Sequence, residues 1–314
     1  MRIAIVGGGA MGSIYAMLLK QSPHEVWLID IWPEHIDAIR QHGLCVEGID
    51  GHARSIRINA TLAPEEVGPA DLVIVAVKAY QTATAAPTIR RLATDGSIVL
   101  GMQNGLGNGE RLSAAVPQAR VAVGVPGHGG ALLGPGRVAH RVAALTPIGW
   151  LAGPTTDELS RIAETFTSAG LESCVVDDIS TELWAHVMVV AGVNAIAALC
   201  RVPNIEVARV PEAARLSELA IREVAAVAEA YGVRLPWDDP VSACRAVYLA
   251  NGEHHLSSMT LDILRERPTE IDVLNGAIVE YGRHAGVATP VNEALWLAVK
   301  TVEHTLARRA EASR

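Results

Sequence analysis

Apolar residues follow two different rhythms along this chain. Through the first half, short apolar runs alternate with stretches of helical period, the mark of a parallel α/β sheet. The pattern predicts strands at the N-terminus up to Val6, over Glu25 to Asp30, Asp71 to Val77, Ser97 to Leu100, Arg120 to Val125 and Leu171 to Val176. Helices are expected after Gly12, over Trp32 to His42, Thr82 to Ala93 and Thr155 to Ala169, the last with a capped start. Residues 127–149 are rich in glycine and strand formers and read as hairpin-type strands. From Ile179 the rhythm becomes long and helical, with helices expected over about 179–200, 205–231, 239–250, 258–266, 268–285 and 290–310. The change near Asp177 and Asp178 predicts two domains, 1–177 and 178–314, with a site in the cleft between them, outside the carboxyl ends of the strands.

The join between the first strand and its helix carries the first chemical signal. It reads Gly7-Gly8-Gly9-Ala10-Met11-Gly12, a G-x-G-x-x-G turn. Gly7 permits a tight turn, Gly9 leaves bare backbone for a pyrophosphate, and Gly12 lets helix and strand pack closely. The helix N-terminus offers unpaired N–H groups and partial positive charge to an anion. The motif therefore predicts a Rossmann-like dinucleotide-binding domain. Asp30 ends the second strand about twenty residues later, where a carboxylate accepts from ribose hydroxyls and repels a 2′-phosphate. No Arg or Lys lies between Asp30 and Glu34, so NAD is favoured over NADP. Asp30 could equally cap the turn that follows it, and the two roles are compatible.

Composition narrows the class. The 314 residues are half apolar with a net charge of −8 and no long basic run, which speaks against nucleic acid as partner. Arg308, Arg309 and Arg314 read as a solvated helix end. Cys45, Cys174, Cys200 and Cys244 are scattered without a C-x-x-C pair, as expected for a reduced, cytoplasmic protein. The first apolar run stops at Gly7, so no signal peptide is read, and Val187 to Cys200 reads as a buried core helix too short for a bilayer. No metal-ligand spacing and no G-x-S-x-G elbow is present.

Several separated segments, in order, resemble the ketopantoate reductase family, which includes related D-2-hydroxyacid dehydrogenases of the D-mandelate type. These are the glycine turn, Val77-Lys78-Ala79-Tyr80-Gln81, Gln103-Asn104-Gly105-Leu106-Gly107-Asn108, Leu183-Trp184-Ala185-His186 with Asn194 to Leu199, Pro203-Asn204, Ser257-Ser258-Met259 and Thr269-Glu270-Ile271-Asp272 with Asn275-Gly276. The resemblance implies a helical second domain like that of 6-phosphogluconate dehydrogenase, hydride transfer giving an R-configured 2-hydroxy acid, and a homodimer. It places Lys78 near the cofactor and Asn104 between nicotinamide and substrate. Asn194, Asn204 and Ser258 would bind the substrate, and Glu270 would support the catalytic side chain and the cofactor.

Two departures matter. The family's catalytic lysine, in its W-x-K segment, is His186 here, and the asparagine four residues on is Val190. Positions 186, 190 and 194 are expected at i, i+4 and i+8 on one helix and therefore on one face, looking into the cleft. An imidazole can polarise a carbonyl and deliver a proton, but its ordinary pKa is about 6.5 against about 10.4 for lysine, so it also serves as a base. Val190 removes an amide, so the substrate is expected to be not ketopantoate but a different 2-oxo acid or a related secondary alcohol, less polar there. His186 could instead only pack, leaving the proton to Lys78 or water. His128, His140, His254 and His255 are weaker candidates. Two other readings stay open: an authentic 2-dehydropantoate 2-reductase, and a non-catalytic dinucleotide-binding sensor.

Overall fold

The structure is a computed structural model that describes residues 1–312, so Arg314 lies outside the described residues. The chain forms two compact units. The first comprises Met1–Gln103 and Asn108–Ile179; the second comprises Ser180 onwards together with Asn104–Gly107. The change of unit thus falls after Ile179, and a four-residue segment of the first half belongs with the helices, which the expected split at 177/178 did not include.

In the first unit the elements run β1 (Arg2–Val6), α1 (Ala10–Leu19), β2 (Glu25–Ile29), α2 (Pro33–His42), β3 (Leu44–Glu47), β4 (Ala53–Ile56), β5 (Asn59–Thr61), β6 (Leu72–Val75), α3 (Thr82–Leu92), β7 (Ile98–Gly101) and α4 (Asn108–Ala115). They continue with β8 (Arg120–Gly124), β9 (His128–Gly134), β10 (Arg137–Ala143), β11 (Thr146–Trp150), α5 (Asp157–Ser168) and β12 (Ser173–Val175). The main sheet has the order β12-β11-β8-β7-β6-β1-β2-β5. Its β5-β2-β1-β6-β7-β8 portion is parallel and reverses direction of growth between β1 and β6, the topological switch point of a dinucleotide-binding sheet. Alternate faces of the strands are covered. Ile3, Ile5 and Leu28 pack with Ile14, Tyr15 and Leu19 of α1, while Ala4, Val6, Val73 and Val75 pack with Ile89 and Leu92 of α3.

Two features differ from the sequence expectation. The 127–149 segment divides: β9 and β10 form a hairpin, whereas β11 joins the main sheet antiparallel to β8. The hairpin completes a second, four-stranded sheet, β4-β3-β10-β9, whose β3 and β4 had no clear signal. Strand β4 (Ala-Arg-Ser-Ile) lies at an edge and is almost wholly exposed, so no apolar face marks it.

In the second unit the helices are α6 (Ile179–Ala191), α7 (Asn194–Cys200), α8 (Asn204–Arg209), α9 (Pro211–Ala230), α10 (Pro240–Ala250), α11 (Ser258–Leu264), α12 (Asn275–Ala285) and α13 (Pro290–Ala312). Three expected helices are each broken in two. The 205–231 helix breaks at Val210, held extended by Pro211. The 268–285 segment begins with a single 3₁₀ turn over Ile271–Val273 before α12.

The break at Gly192–Val193 is the consequential one, because His186 and Val190 stand on α6 while Asn194 opens α7. The expectation that all three share one continuous helical face is therefore corrected. The reason is packing. A Cβ at Gly192 would lie 2.6 Å from the Tyr248 hydroxyl and 2.7 Å from Ile221, so α9 and α10 press directly on the backbone there. Tyr248 donates to the Val189 carbonyl (2.8 Å) and Asn275 Nδ2 to the Ala191 carbonyl (3.1 Å), satisfying acceptors at the interrupted end. Ile179–Cys200 is long and apolar enough to cross a membrane, but 67% of its most apolar window is buried inside the protein.

Candidate active site

The first unit carries the glycine turn at the end of β1. Val6 pairs with both Ile29 and Val75, so β1, β2 and β6 end level. Gly7, Asp30 and the segment leading to Lys78 therefore leave the sheet on one edge, at the carboxyl ends of the strands. Gly7 has φ +104°, and a Cβ there would strike the Val77 backbone nitrogen at 2.7 Å. A Cβ at Gly12 would overlap the Gly7 carbonyl oxygen at 1.8 Å, while at Gly9 it would meet no atom within 4 Å. Two glycines are thus demanded by the protein itself, and the third leaves bare, exposed backbone.

Asp30 performs the capping role weighed for it. One carboxylate oxygen accepts from the Gly8 N–H and the other from the Trp32 N–H (2.9 Å). It thereby ties the glycine turn to the end of β2. Each oxygen keeps a further lone pair for a ribose hydroxyl. Lys78 precedes a 3₁₀ turn over Ala79–Gln81, and its N–H is accepted by Gln81 Oε1 (3.3 Å).

The second unit contains the other constellation. His186 Nε2 lies 3.2 Å from Asn104 Oδ1, and Asn104 Nδ2 lies 3.4 Å from Glu270 Oε2. The carboxylate can only accept, so it turns the Asn104 amide with its NH₂ toward Glu270 and its oxygen toward the imidazole. That oxygen in turn requires the hydrogen of a neutral His186 to sit on Nε2. Burial of the ring pushes the His186 pKa down to about 4. At neutral pH the imidazole is therefore uncharged. Trp184, two residues back on α6, stacks against Tyr231 and meets Tyr281 edge-on, which fixes the rotation of that helix.

Glu270 is buried, and its position is set by neighbours on either side. Glu303 of α13 accepts from the Thr269 N–H (2.6 Å) and hydroxyl (2.7 Å). Asp272 accepts from Trp296 Nε1 (2.7 Å) and Lys300 Nζ (2.9 Å). The carboxylate thus projects from a short segment pinned to the long C-terminal helix.

Asn194, Asn204 and Ser258 each occupy the first position of a helix, α7, α8 and α11. Asn194 and Asn204 are buried, and Asn204 Oδ1 has no hydrogen-bond partner, an open acceptor inside the unit. Ser258 is exposed; its neighbour Ser257 makes the cap, accepting from the Thr260 N–H (3.0 Å). The Asn204 N–H donates to the His255 carbonyl (3.0 Å), which ties the start of α8 to the loop before α11. Val190 is half-buried among apolar side chains.

Sequence reasoning gave no role to Asn275, Gln103 or Ser13. Asn275 bridges Ala191 and Asn292, and Gln103 Nε2 donates to the Val77 carbonyl and the Thr82 hydroxyl, both at 2.9 Å. Asn275 and Gln103 lay inside the matched segments, so their position in a motif was the only available signal. Among the described residues no group of three or more His, Cys, Asp or Glu could hold a metal ion.

The profile of the ketopantoate reductase PanE/ApbA family matches residues 3–153, and that of its C-terminal domain matches residues 178–303. The 2-dehydropantoate 2-reductase of Halobacterium salinarum is 36% identical over 291 residues, covering 93% of this chain and 95% of that protein. The enzyme of the same name from Archaeoglobus fulgidus is 33% identical over 97% of this chain and 99% of its own. Among solved structures, a PanE/ApbA family ketopantoate reductase from Ralstonia eutropha superposes with a TM-score of 0.89 at 31% identity, covering 98% of this chain and 100% of that one. A D-mandelate dehydrogenase, solved with NADH and anilino(oxo)acetate, superposes with a TM-score of 0.91 at 28% identity, covering 98% and 99%. With both halves matched and the glycine turn in place, the chain belongs to the ketopantoate reductase family of NAD(P)-dependent oxidoreductases acting on a CH–OH group or its ketone.

Proposed function

We propose that this protein is an NAD-linked 2-hydroxyacid dehydrogenase of the ketopantoate reductase family whose acid/base residue is His186 and whose substrate is not ketopantoate. The observation that carries the reading is the His186 imidazole lying 3.2 Å from Asn104, at the position the resemblance gives to a catalytic lysine, with its pKa pushed down to about 4 by burial. Oxidising a 2-hydroxy acid requires a base for the hydroxyl proton; with Nε2–H donated to Asn104, the unprotonated Nδ1 of the neutral imidazole is the nitrogen that would accept it. Bound nicotinamide supplies or accepts the hydride in this chemistry. Gly7 to Gly12 and Asp30 would hold the dinucleotide, with Lys78 beside it. Asn104 would orient both the imidazole and the reacting group, and Glu270 would fix Asn104. Asn194, Asn204 and Ser258 would bind the polar end of the substrate, and Val190 its less polar part.

NAD over NADP is supported by Asp30 and by the absence of a cation from Ile31 to Glu34. The D-mandelate dehydrogenase, solved with NADH, is compatible with both preferences. A homodimer in the cytoplasm is the assembly and location we infer; four cysteines, none of them in a disulfide, accord with a reducing compartment. A second reading, an authentic 2-dehydropantoate 2-reductase, is favoured by the names of the relatives. The test is a panel of 2-oxo acids and 2-hydroxy acids, ketopantoate included, assayed with NAD(H) and NADP(H) at the nicotinamide absorbance. Turnover of another acid with NAD(H) supports the first reading. Efficient reduction of ketopantoate with NADPH establishes the second instead.

A further inference from the structure

The mechanism leaves one buried polar chain unused. It starts at the turn of the β9–β10 hairpin and ends on the glycine turn. Gly136 N–H donates to His35 Nδ1 (3.0 Å), so Nδ1 carries a lone pair and the hydrogen of the neutral ring sits on Nε2. Nε2 faces Ser13 Oγ at 3.4 Å, and the Ser13 hydroxyl donates to the Gly8 carbonyl at 2.9 Å. His35 and Ser13 are both completely buried, and the Trp32 ring stacks on the imidazole, 5.3 Å between centroids. Every donor in this chain has one acceptor, so its direction is fixed from end to end.

The consequence lies in the peptide that links Gly8 to Gly9. It is planar, and in its trans form the carbonyl and the N–H point to opposite sides. Ser13 draws the Gly8 carbonyl inward, which turns the Gly9 N–H away from the core, and Gly9 is exposed. Asp30 holds the other side of Gly8 through its N–H. Both polar groups of this residue are therefore clamped before any ligand arrives, and the entropy of ordering the loop is spent in folding rather than in binding.

We infer that His35 is a positioning residue for the dinucleotide: acting through Ser13, it presets the Gly8–Gly9 peptide with its N–H aimed at the pyrophosphate. The inference rests on the reading that the glycine turn binds NAD(H).

Two substitutions separate the halves of the relay. His35→Gln places an amide nitrogen near the Nε2 position and keeps the donation to Ser13. His35→Asn places an amide oxygen near Nδ1, keeps the bond from Gly136 and abandons Ser13. NADH dissociation constants are measured by nucleotide fluorescence on the full-length protein, with thermal midpoints recorded alongside. Expected is about a tenfold weaker NADH complex for His35→Asn and for Ser13→Ala, near-native binding for His35→Gln, and no further loss in the Ser13→Ala/His35→Asn double variant. In turnover the same variants raise the cofactor KM and leave kcat in place. Native-like NADH binding by both His35→Asn and Ser13→Ala overturns the inference, as does equal weakening by His35→Gln and His35→Asn, which marks a packing role. Ser13→Ala removes a single oxygen and keeps the test open if a histidine variant fails to fold. Failure of the unsubstituted protein to bind NADH or NADPH overturns the underlying reading and the inference together.

Discussion

Asn104 Oδ1 lies 3.2 Å from His186 Nε2, although the two residues are 82 positions apart. The contact exists because Asn104–Gly107 leaves the end of β7 and belongs with the helical unit. Leu106 secures the segment there, its N–H donating to the Val273 carbonyl (3.0 Å). One amide is thereby oriented by a carboxylate on one side and orients an imidazole on the other.

Removing that imidazole should abolish proton transfer without disturbing nucleotide binding. His186→Gln keeps a hydrogen-bonding side chain but no titratable group. We expect kcat to fall by about 10²–10⁴-fold with the best hydroxy acid, at unchanged NADH affinity. Unchanged turnover would transfer the proton to another group.

The pH dependence follows from the same residue. The pKa of His186 is pushed down to about 4 by burial, so the base form persists well below pH 6.5. Oxidation of the hydroxy acid should be flat from pH 8 to about 6 and decline only in more acid solution, whereas reduction of the oxo acid should gain as the pH falls. Initial rates in both directions across this range give the test. An oxidation limb with a midpoint at 6.5 or above contradicts the assignment.

Asp30 ties the glycine turn to the end of β2 and is the ribose acceptor proposed above, so its removal should be costly. Asp30→Ala frees the Gly8 and Trp32 N–H groups and withdraws the ribose acceptor. Hydrogen bonds to a charged group contribute about 1.5–3 kcal/mol, so NADH binding should weaken by at least tenfold. Discrimination against NADPH should shrink because the repelling charge is gone. Titration of both nucleotides checks the two effects separately.

Much of this was legible in the sequence, for identifiable reasons. The parallel strands are buried on both sides and read as continuous apolar runs, and Gly7 and Gly12 are demanded by contacts that no side chain could share. The second sheet was invisible because β4 is an exposed edge without an apolar face. The break between His186 and Asn194 was hidden for the opposite reason: Val187 to Cys200 is apolar at every position but Asn194, and its interruption is set by Tyr248 and Ile221 pressing on Gly192. Periodicity cannot report a contact made by residues so far away in the chain. His35 and Ser13 gave no signal, since their partners come from a hairpin turn and a glycine carbonyl.

The helical unit has a polar joint whose loss should be measurable. Asn292 Nδ2 donates to the Ala220 carbonyl (3.1 Å) and to Glu223 (2.7 Å), while its oxygen accepts from Asn275 (2.9 Å). Asn292 is fully buried, so Asn292→Ala leaves several groups unsatisfied. We expect a destabilisation of about 1–3 kcal/mol in denaturant titrations. An unaltered midpoint would show that the joint repacks.

The small sheet offers a test of stability against pH. His128 Nδ1 and His140 Nε2 lie 2.9 Å apart, with both rings buried and stacked. Burial lowers the His128 pKa to about 4, and the neighbouring His140 adds to the shift; burial lowers His140 as well. Between the ordinary value near 6.5 and the depressed native one, the unfolded chain binds protons that the folded protein does not. Stability must therefore fall as the pH is lowered through that window, and it changes little from this source above it. Carboxylates add their own acid sensitivity nearer pH 4, so the informative interval is pH 6.5 to 5. There, the thermal midpoint of the unsubstituted protein should drop more steeply than that of His128→Gln, which has no proton to bind. Parallel curves for the two proteins would mean that the pair stays neutral in both states or is solvated when folded, and either contradicts the burial that defines it.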